Sequence, residues 1–466
     1  MGFNIQNGVL IKYIEEDGVP EAVIPQGVTA IGEDAFKNCK SLTSVIIPEG
    51  VTSIGAFAFA YCGSLVSVKI PDSMTKIDGY AFFCCRRLAE INLPDSVSYI
   101  GSKAFHDCES LVSVTIPRSI DFLGDIFYYC TSLTTVNIPD SVTDIYHSFV
   151  GCTGLTSIDL PQSVSCIEGA FMGCTGLTSV NIPNSVYLAD KAFRHCIRLT
   201  YAEVPEQVTI LYETFCGCSG LTSVKLPDTM TIINYRSFYE CTSLTSINIP
   251  RSVTLIGKEA FSGCTGLTSV NIPDSVTTIK KSAFENCTGL TSVNIPDGAV
   301  IGENAFKGCN ALSEMIISPD KRLPAGIFGD ELPAGLIPQA AALSDNMDSK
   351  TFRKYILCKN VWESLNASSK TDIFFKRSGK AYTDGYKALI SSDDCRIIAD
   401  KLTEMISETP KTGTYSKAVR FVCDHKEKIS ADTVETICNA LANAKNGIAS
   451  AEQIKDIYFE RIEDRE

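Results

Sequence analysis

A repeat of 22 or 23 residues runs through this chain from about Val23 to about Phe328, and it limits the fold more than any other feature. A unit this short cannot bury a core alone, so successive units must stack as a solenoid. Four ladders keep step through it. Cysteine recurs at Cys39, Cys62, Cys85, Cys108, Cys130, Cys152, Cys174, Cys196, Cys218, Cys241, Cys264, Cys287 and Cys309, and a leucine follows three residues after each, from Leu42 to Leu312. Proline closes each strand segment from Pro25 to Pro319, and phenylalanine marks each turn back from Phe36 to Phe328.

Within one coil, Leu-Thr-Ser-Val-Asn-Ile alternates as a strand does, with Val and Ile on one side and Asn on the other. Proline ends it because it has no N–H to give to a neighbouring ladder. Ser-Val-Thr-x-Ile then supplies two more apolar anchors. The glycine that follows is expected to take a backbone conformation that other residues resist, and Ala-Phe to form a short helical turn or tight bend. Thirteen coils stacked at about 4.8 Å predict one parallel sheet roughly 60 Å long.

After Pro319 the repeat decays through a Pro- and Gly-rich stretch, and the periodicity becomes helical. Helices are expected at about 368–390, 393–408, 414–429, 431–445 and 450–464, with Ser430 and Ser450 in capping positions. Before them, Phe352, Tyr355, Ile356, Lys359 and Val361 recur at helical spacing. The fold class is therefore α+β overall: a solenoid of 13–14 coils with a long parallel β-sheet, followed by a small all-α domain. The expected divisions are an N-terminal cap at 1–22, the solenoid at 23–328, a linker or end cap at 329–345 and a helical domain at 346–466.

Units such as Ile249-Pro250-Arg251-Ser252-Val253-Thr254-Leu255-Ile256-Gly257-Lys258-Glu259-Ala260-Phe261-Ser262-Gly263-Cys264-Thr265-Gly266-Leu267 closely resemble the BspA-type leucine-rich repeat family, over about Val23 to Phe328. That resemblance implies a leucine-rich-repeat solenoid. It also implies kinship with bacterial and protozoan surface proteins that adhere to host matrix proteins or to other cells, and with many members of no known role.

The net charge of −13 falls wholly on the repeats, because residues from Ala340 onward are balanced. An acidic solenoid disfavours nucleic acid or an anionic membrane as partner, since phosphate contacts need basic stripes. The stretch from Lys350 to Lys387 is locally basic and is a candidate dock for an acidic partner or for the acidic solenoid. The 20 cysteines read as a structural column rather than a disulfide or zinc framework, because thirteen of them occupy one equivalent position per coil. Cys84-Cys85 and Cys216-Gly217-Cys218 are weak redox or metal signals. So many unpaired thiols suit a reducing compartment. The first residues hold no basic segment leading into an apolar run, and no apolar stretch is long enough to span a bilayer. The expected location is the cytoplasm, with the cell surface or export as the alternative.

Coils closing between Cys130 and Cys218 lack one residue between the second Ile position and Phe. Aromatic residues gather there: Tyr99, Phe122, Tyr128, Tyr129, Tyr146, Tyr187, Tyr201 and Tyr212, with His106, His147 and His195. They either fill the space left by the shortened turn or form an exposed partner site, since tyrosine gives rigid contact area at low entropic cost. The outward strand column, which includes Asn137, Asp159, Asn181 and Glu203, is a second candidate surface. A third is the apolar row Leu188, Ile210, Ile232 and Leu255. No nucleophile, zincin or dinucleotide motif is present, and the four histidines form no pattern. The sequence thus reads as a non-catalytic protein-interaction scaffold without cofactor or metal, whose ligand is a protein. The alternative is a surface adhesin or glycan binder.

Overall fold

The computed structural model describes residues 2–15, 19–318, 321–324, 326–333, 335–336, 390–408, 412–425, 427–444 and 450–454, and singly Leu343, Met347, Tyr355, Trp362, Leu365, Lys370, Thr371 and Ile373. These form two compact units, Met1–Asn310 and Ala311–Glu466.

In the first unit the expected strands are present but short. Thr135–Asn137 is typical: Val136 is buried, and its neighbours on either side are exposed. Such strands pair in parallel from Glu21–Val23 through Ser44–Ile46, Ser67–Lys69, Glu90–Ile91 and Ser113–Thr115 to Thr135–Asn137. The Thr-x-Ile segment, read from sequence only as a source of anchors, forms a second parallel ladder. It runs from Ala30–Ile31 to Tyr99–Ile100 and again from Ile210–Leu211 to Val300–Ile301. The single sheet expected from sequence is therefore two ladders on different faces of the coil. Threonine stabilises the second one from its edge: the hydroxyls of Thr52, Thr75 and Thr254 donate to the carbonyls of Thr29, Thr52 and Thr231 one coil back.

The Ala-Phe segment is not helical. Residues two before and two after the ladder phenylalanine are left-handed in coil after coil, as at Phe57 (φ 54°) and Tyr61 (φ 64°) around Phe59, and at Lys103 (φ 57°) and Asp107 (φ 58°) around Phe105. A side chain in this region costs roughly 1–2 kcal/mol, and regular hydrogen bonds offset it. The amides of Phe57, Phe59 and Tyr61 donate to the carbonyls of Gly79, Ala81 and Phe83 in the next coil, at 3.3, 2.8 and 2.7 Å. The alternate amides of Ala58, Ala60 and Cys62 turn back onto Gly55, Phe57 and Phe59. This turn face is a third array of bonds between coils. The glycine after the second Ile is needed for a different reason from the one expected. Gly101 lies outside the left-handed region, but a Cβ there would run into the backbone of Asp78 and Gly79 in the preceding coil.

The core between the three faces is a stack of rings, Tyr13 to Phe306, each nearly parallel to the next. Beside it runs the cysteine column. From Cys62 to Cys309, each ladder thiol donates to the carbonyl of the phenylalanine one coil earlier, at 3.0–3.3 Å. Each of these cysteines is thus both a small apolar filler and a weak donor, which satisfies a carbonyl that would otherwise have a lone pair unused in the core.

An antiparallel hairpin, β1 (Gly2–Gln6) and β2 (Val9–Ile14), starts the stack, with β2 in parallel register against Ala30–Ile31. Tyr13 stacks on Phe36 at 4.9 Å and so occupies the ladder-ring position before the first full coil. Glu15 completes this end. Its carboxylate accepts from the amides of Lys40, Ser41 and Leu42 and from the Ser41 hydroxyl, bonds that a preceding coil would otherwise take. Partial burial raises the Glu15 carboxyl, but these hydrogen bonds outweigh it and hold the group below its ordinary range.

The second unit contains α1 (Ser392–Glu408), α2 (Thr412–His425) and α3 (Ala431–Asn443). These stand where three of the five helices were expected. The helices expected at 368–390 and 450–464, and the face containing Phe352, Ile356, Lys359 and Val361, lie largely or wholly outside the described residues. A capping box opens α1: the Ser391 amide donates to Asp394 Oδ2 at 3.0 Å, and the Asp394 amide donates to Ser391 Oγ at 3.1 Å. Buried Asp394 also accepts from Trp362 Nε1 and, at 2.7 Å, from Lys370 Nζ. Burial pushes this carboxyl up, but Lys370 and Ser391 more than compensate and hold it low. Lys370, counted from sequence in a basic surface stretch, is thus a structural partner; the other basic residues of that stretch lie outside the described residues.

Candidate partner-binding surfaces

Each coil shows solvent three surfaces: the strand ladder, the second ladder and the turn face. The aromatic residues grouped by sequence divide among them. Tyr201 lies on the strand ladder with Asn137, Asp159, Asn181 and Glu203, all exposed. Tyr99, Phe122 and Tyr187 lie along the second ladder, with Phe122 and Tyr187 exposed at 55% and 59%. Tyr128, Tyr129 and Tyr212 belong to the turn face, and Tyr146 stands where the second ladder meets it.

On the turn face the structure adds residues that the sequence reading passed over. Phe57 stacks on Tyr80 at 4.8 Å, Tyr80 meets Phe83 edge-on at 5.6 Å, and Tyr61 meets Phe83 at 5.3 Å. Phe83 leans on His106 at 5.0 Å, and His106 stacks on Tyr128 at 5.6 Å and touches Tyr129 at 5.7 Å. Seven rings therefore form one continuous patch. Lys37 lies over Phe57, and Lys103 lies over both Tyr80 and Tyr128. Tyr61 and Tyr129 are the outermost, at 45% and 48% exposed, and the other five are half-buried. Burial moves His106 below the usual imidazole range, and Asp107, 3.1 Å from Nδ1, offsets this only in part. Burial likewise raises the Tyr128 hydroxyl, which donates to Asp125 at 3.1 Å. Both groups are thus neutral near pH 7.

Farther along, the same face changes character. Arg236 pairs with Glu259 at 2.6 Å, Lys281 with Glu303 at 2.9 Å and Lys307 with Glu285 at 3.0 Å. Tyr212 and Tyr235 sit here at 5.7 Å from each other, capped by Lys191 and Arg236. Surface pairs of this kind contribute about 0–1 kcal/mol each. They leave a polar surface with few open rings.

The strand ladder is the hollowed surface. Shallow depressions of about 510, 710 and 350 Å³ lie along it, the last lined by Asn181, Tyr201, Glu203 and Lys225. Lys225 Nζ bonds Glu203 at 2.6 Å, and the Tyr201 hydroxyl reaches the same carboxylate at 3.5 Å. The apolar row of the second ladder is half-covered at Leu188, Ile232 and Leu255 and open at Ile210. At the two cysteine pairs, Cys218 is buried with its thiol on Phe193, Cys216 is buried, and half-buried Cys84 points to Asp107, with burial raising all three. Among the described residues, no group of three or more His, Cys, Asp or Glu is placed to hold a metal ion, and no helix is long and apolar enough to cross a membrane.

The family model for BspA-type leucine-rich repeat regions matches six copies over residues 15–126, 124–241 and 209–330. A leucine-rich repeat protein from Bacteroides ovatus ATCC 8483 is 30% identical over 76% of this chain and 96% of its own, with a TM-score of 0.59. A leucine rich cell surface protein from Faecalibacterium prausnitzii A2-165 is 30% identical over 68% of this chain and 92% of its own, with a TM-score of 0.49. The leucine-rich repeat protein of T. pallidum is 31% identical over 38% of this chain and 87% of its own, with a TM-score of 0.36. No curated protein matches this chain.

Proposed function

Because this chain belongs to the BspA-type leucine-rich repeat family, we propose that it is a non-catalytic scaffold that binds a protein partner through the turn face of its N-terminal coils. The observation that carries this reading is the seven-ring patch from Phe57 to Tyr129. Tyrosine and phenylalanine are enriched at the centres of protein interfaces, and these rings are already held by one another, so little side-chain entropy is lost on binding. Lys103, over two of the rings, is the cation the patch offers a partner, since Lys37 is already paired with Asp34 at 3.0 Å. The location goes with the proposal as cytoplasmic, with the cell surface as the competing site, and fractionation of native cells distinguishes them. The proposed division of the chain is a cap at 1–22, the solenoid at 23–328, a linker at 329–345 and a helical domain at 346–466.

The test is affinity capture with the full chain against a Tyr61→Ser, Tyr129→Ser variant of unchanged circular dichroism. Both residues are exposed, so the fold tolerates the change. Loss of the captured proteins supports the reading, and an identical captured set overturns it.

A further inference from the structure

One position on the strand ladder breaks its column in a way that the protein-binding reading does not use. Serine holds that outward position in the coils on both sides, at Ser179 and Ser223, and in most others, but Tyr201 replaces it in one. The ring is 46% exposed, and its two column neighbours are too short to stack against it. The exposed turn-face rings lie against other rings; Tyr201 makes no ring contact among the described residues and stands beside a hollow of about 350 Å³. That volume is at the small end of ligand clefts. The rest of the lining is polar and mixed in kind. Asn181 and Gln162 bring amides that both donate and accept, Glu203 accepts, and Lys225 donates. Lys225 also neutralises Glu203 at 2.6 Å and fixes its direction, with the Tyr201 hydroxyl on the same carboxylate.

We propose that this hollow is a subsite for one or two neutral pyranose residues of a glycan. A pyranose has an apolar C–H face and a rim of hydroxyls. The first suits an open aromatic ring, and the second suits paired amide and carboxylate groups, which each take two neighbouring hydroxyls. An anionic sugar is disfavoured, because Glu203 is already matched by Lys225 and Glu206 adds a further acid to the rim. An extended peptide is also a poorer fit. One edge of Tyr201–Glu203 is paired with Ser223–Lys225 and the preceding coil lies along the other, where the Thr200 amide donates to the Thr178 carbonyl at 3.3 Å, whereas a peptide strand needs a free sheet edge for its main chain.

The experiment uses the full chain on an immobilised array of neutral oligosaccharides of glucose, galactose, mannose and N-acetylglucosamine. The wild type is expected to bind a subset. Tyr201→Phe keeps the ring and is expected to hold binding within a few-fold, whereas Tyr201→Ser restores the column residue and is expected to lose roughly tenfold or more. The Tyr61→Ser, Tyr129→Ser variant is expected to bind as the wild type does, which separates this subsite from the turn face. Absence of array binding by the wild type overturns the proposal, as does binding that survives Tyr201→Ser. Loss of a captured protein rather than a glycan on Tyr201→Ser overturns it in favour of a peptide ligand.

Discussion

Coils with a full-length turn and coils with a shortened one stack their core rings at different distances. Where both partners have five residues from the second Ile to Phe, the centroids lie 4.7–5.3 Å apart. Where either partner has four, from Phe105–Phe127 through Phe215–Phe238, they lie 5.5–5.8 Å apart. Total coil length is not the cause. Phe284 and Phe306 are 22 residues apart, but the missing residue lies before the second Ile, and their rings stay at 5.3 Å. The ladders also thin in the middle of the shortened block. The strand ladder is continuous to Thr135–Asn137 and then falls to the bridge Asp159–Asn181, while the second ladder falls to the bridges Asp144–Cys166 and Cys166–Leu188. Turn length does not set the ladders alone, since Phe122–Gly124 and Asp144–Tyr146 pair over three residues inside the shortened block and the strand ladder is a single bridge at Asn248–Asn271 among full-length coils; the hollow at Tyr201 lies at the far border of the shortened block.

The comparison breaks most sharply under Phe→Ala substitution. Phe59→Ala and Phe171→Ala should each cost about 3–5 kcal/mol, with Phe59 the costlier. Its neighbours stand at 4.7 and 5.1 Å against 5.7 and 5.8 Å for Phe171, and dispersion falls steeply with separation. Denaturant titration reads the difference; an equal or reversed order would mean that ring spacing does not report packing.

Glycine gives the next effect. Gly101→Ala, in a full-length turn, meets backbone and is expected to cost about 1–3 kcal/mol without relief from any side-chain change. Gly169→Ala, in the short block, meets the His147 ring instead at a left-handed position (φ 60°). In a His147→Ala background its cost should drop to the backbone share of roughly 1 kcal/mol. A double-mutant cycle with no coupling would sink this assignment.

The thiol column should be indifferent to turn length. Burial raises Cys174, in the short block, and Cys264, in a full-length coil, both from 9.0 to about 12. A thiol raised on folding contributes its stability below the unfolded value, and this contribution is lost as pH rises from 9.0 towards 12. Each thiol should therefore lose about 1 kcal/mol by one unit above its unfolded value. Unfolding midpoints followed into alkali should flatten equally for Cys174→Ala and Cys264→Ala, and unequal slopes would show that turn length reaches the thiols.

The stack itself was legible because Cys, Leu, Pro and Phe are each demanded by one chemical requirement at one site. The turn face was not. Its left-handed position two before the phenylalanine holds Phe57, Lys103 and Glu213 as readily as Gly169, because bonds to the next coil impose the conformation; only the position two after it leaves a partial signature, as at Asn38, Gly151, Gly173 and Asn286. The aromatic grouping failed for a geometric reason. Residues close in sequence number, such as Tyr187 and Tyr201, fall on different faces of one coil, while Phe57 and Tyr129 share a face three coils apart. Reading the columns two before and two after each ladder phenylalanine would have found Phe57, Tyr61, Tyr80 and Tyr129 together. Only Tyr128 and Tyr129 of the seven rings sit in the shortened block; full-length coils supply the other five.

The bonds of the turn face also have a direction. On the strand ladder, amides point alternately backward and forward, as Thr43 to Pro20 and Ile47 to Lys69. On the turn face they run one way, from Tyr13 to Ala35, from Phe36 to Ala58, and on through Phe284 to Ala305. Peptide dipoles aligned head to tail add, as they do along an α-helix. One side of the solenoid is thus an electrical rod laid beside two nearly non-polar sheets, with its carbonyl pole at the hairpin and its amide pole at the last coil. Every coil gained or lost by such a protein lengthens or shortens that rod.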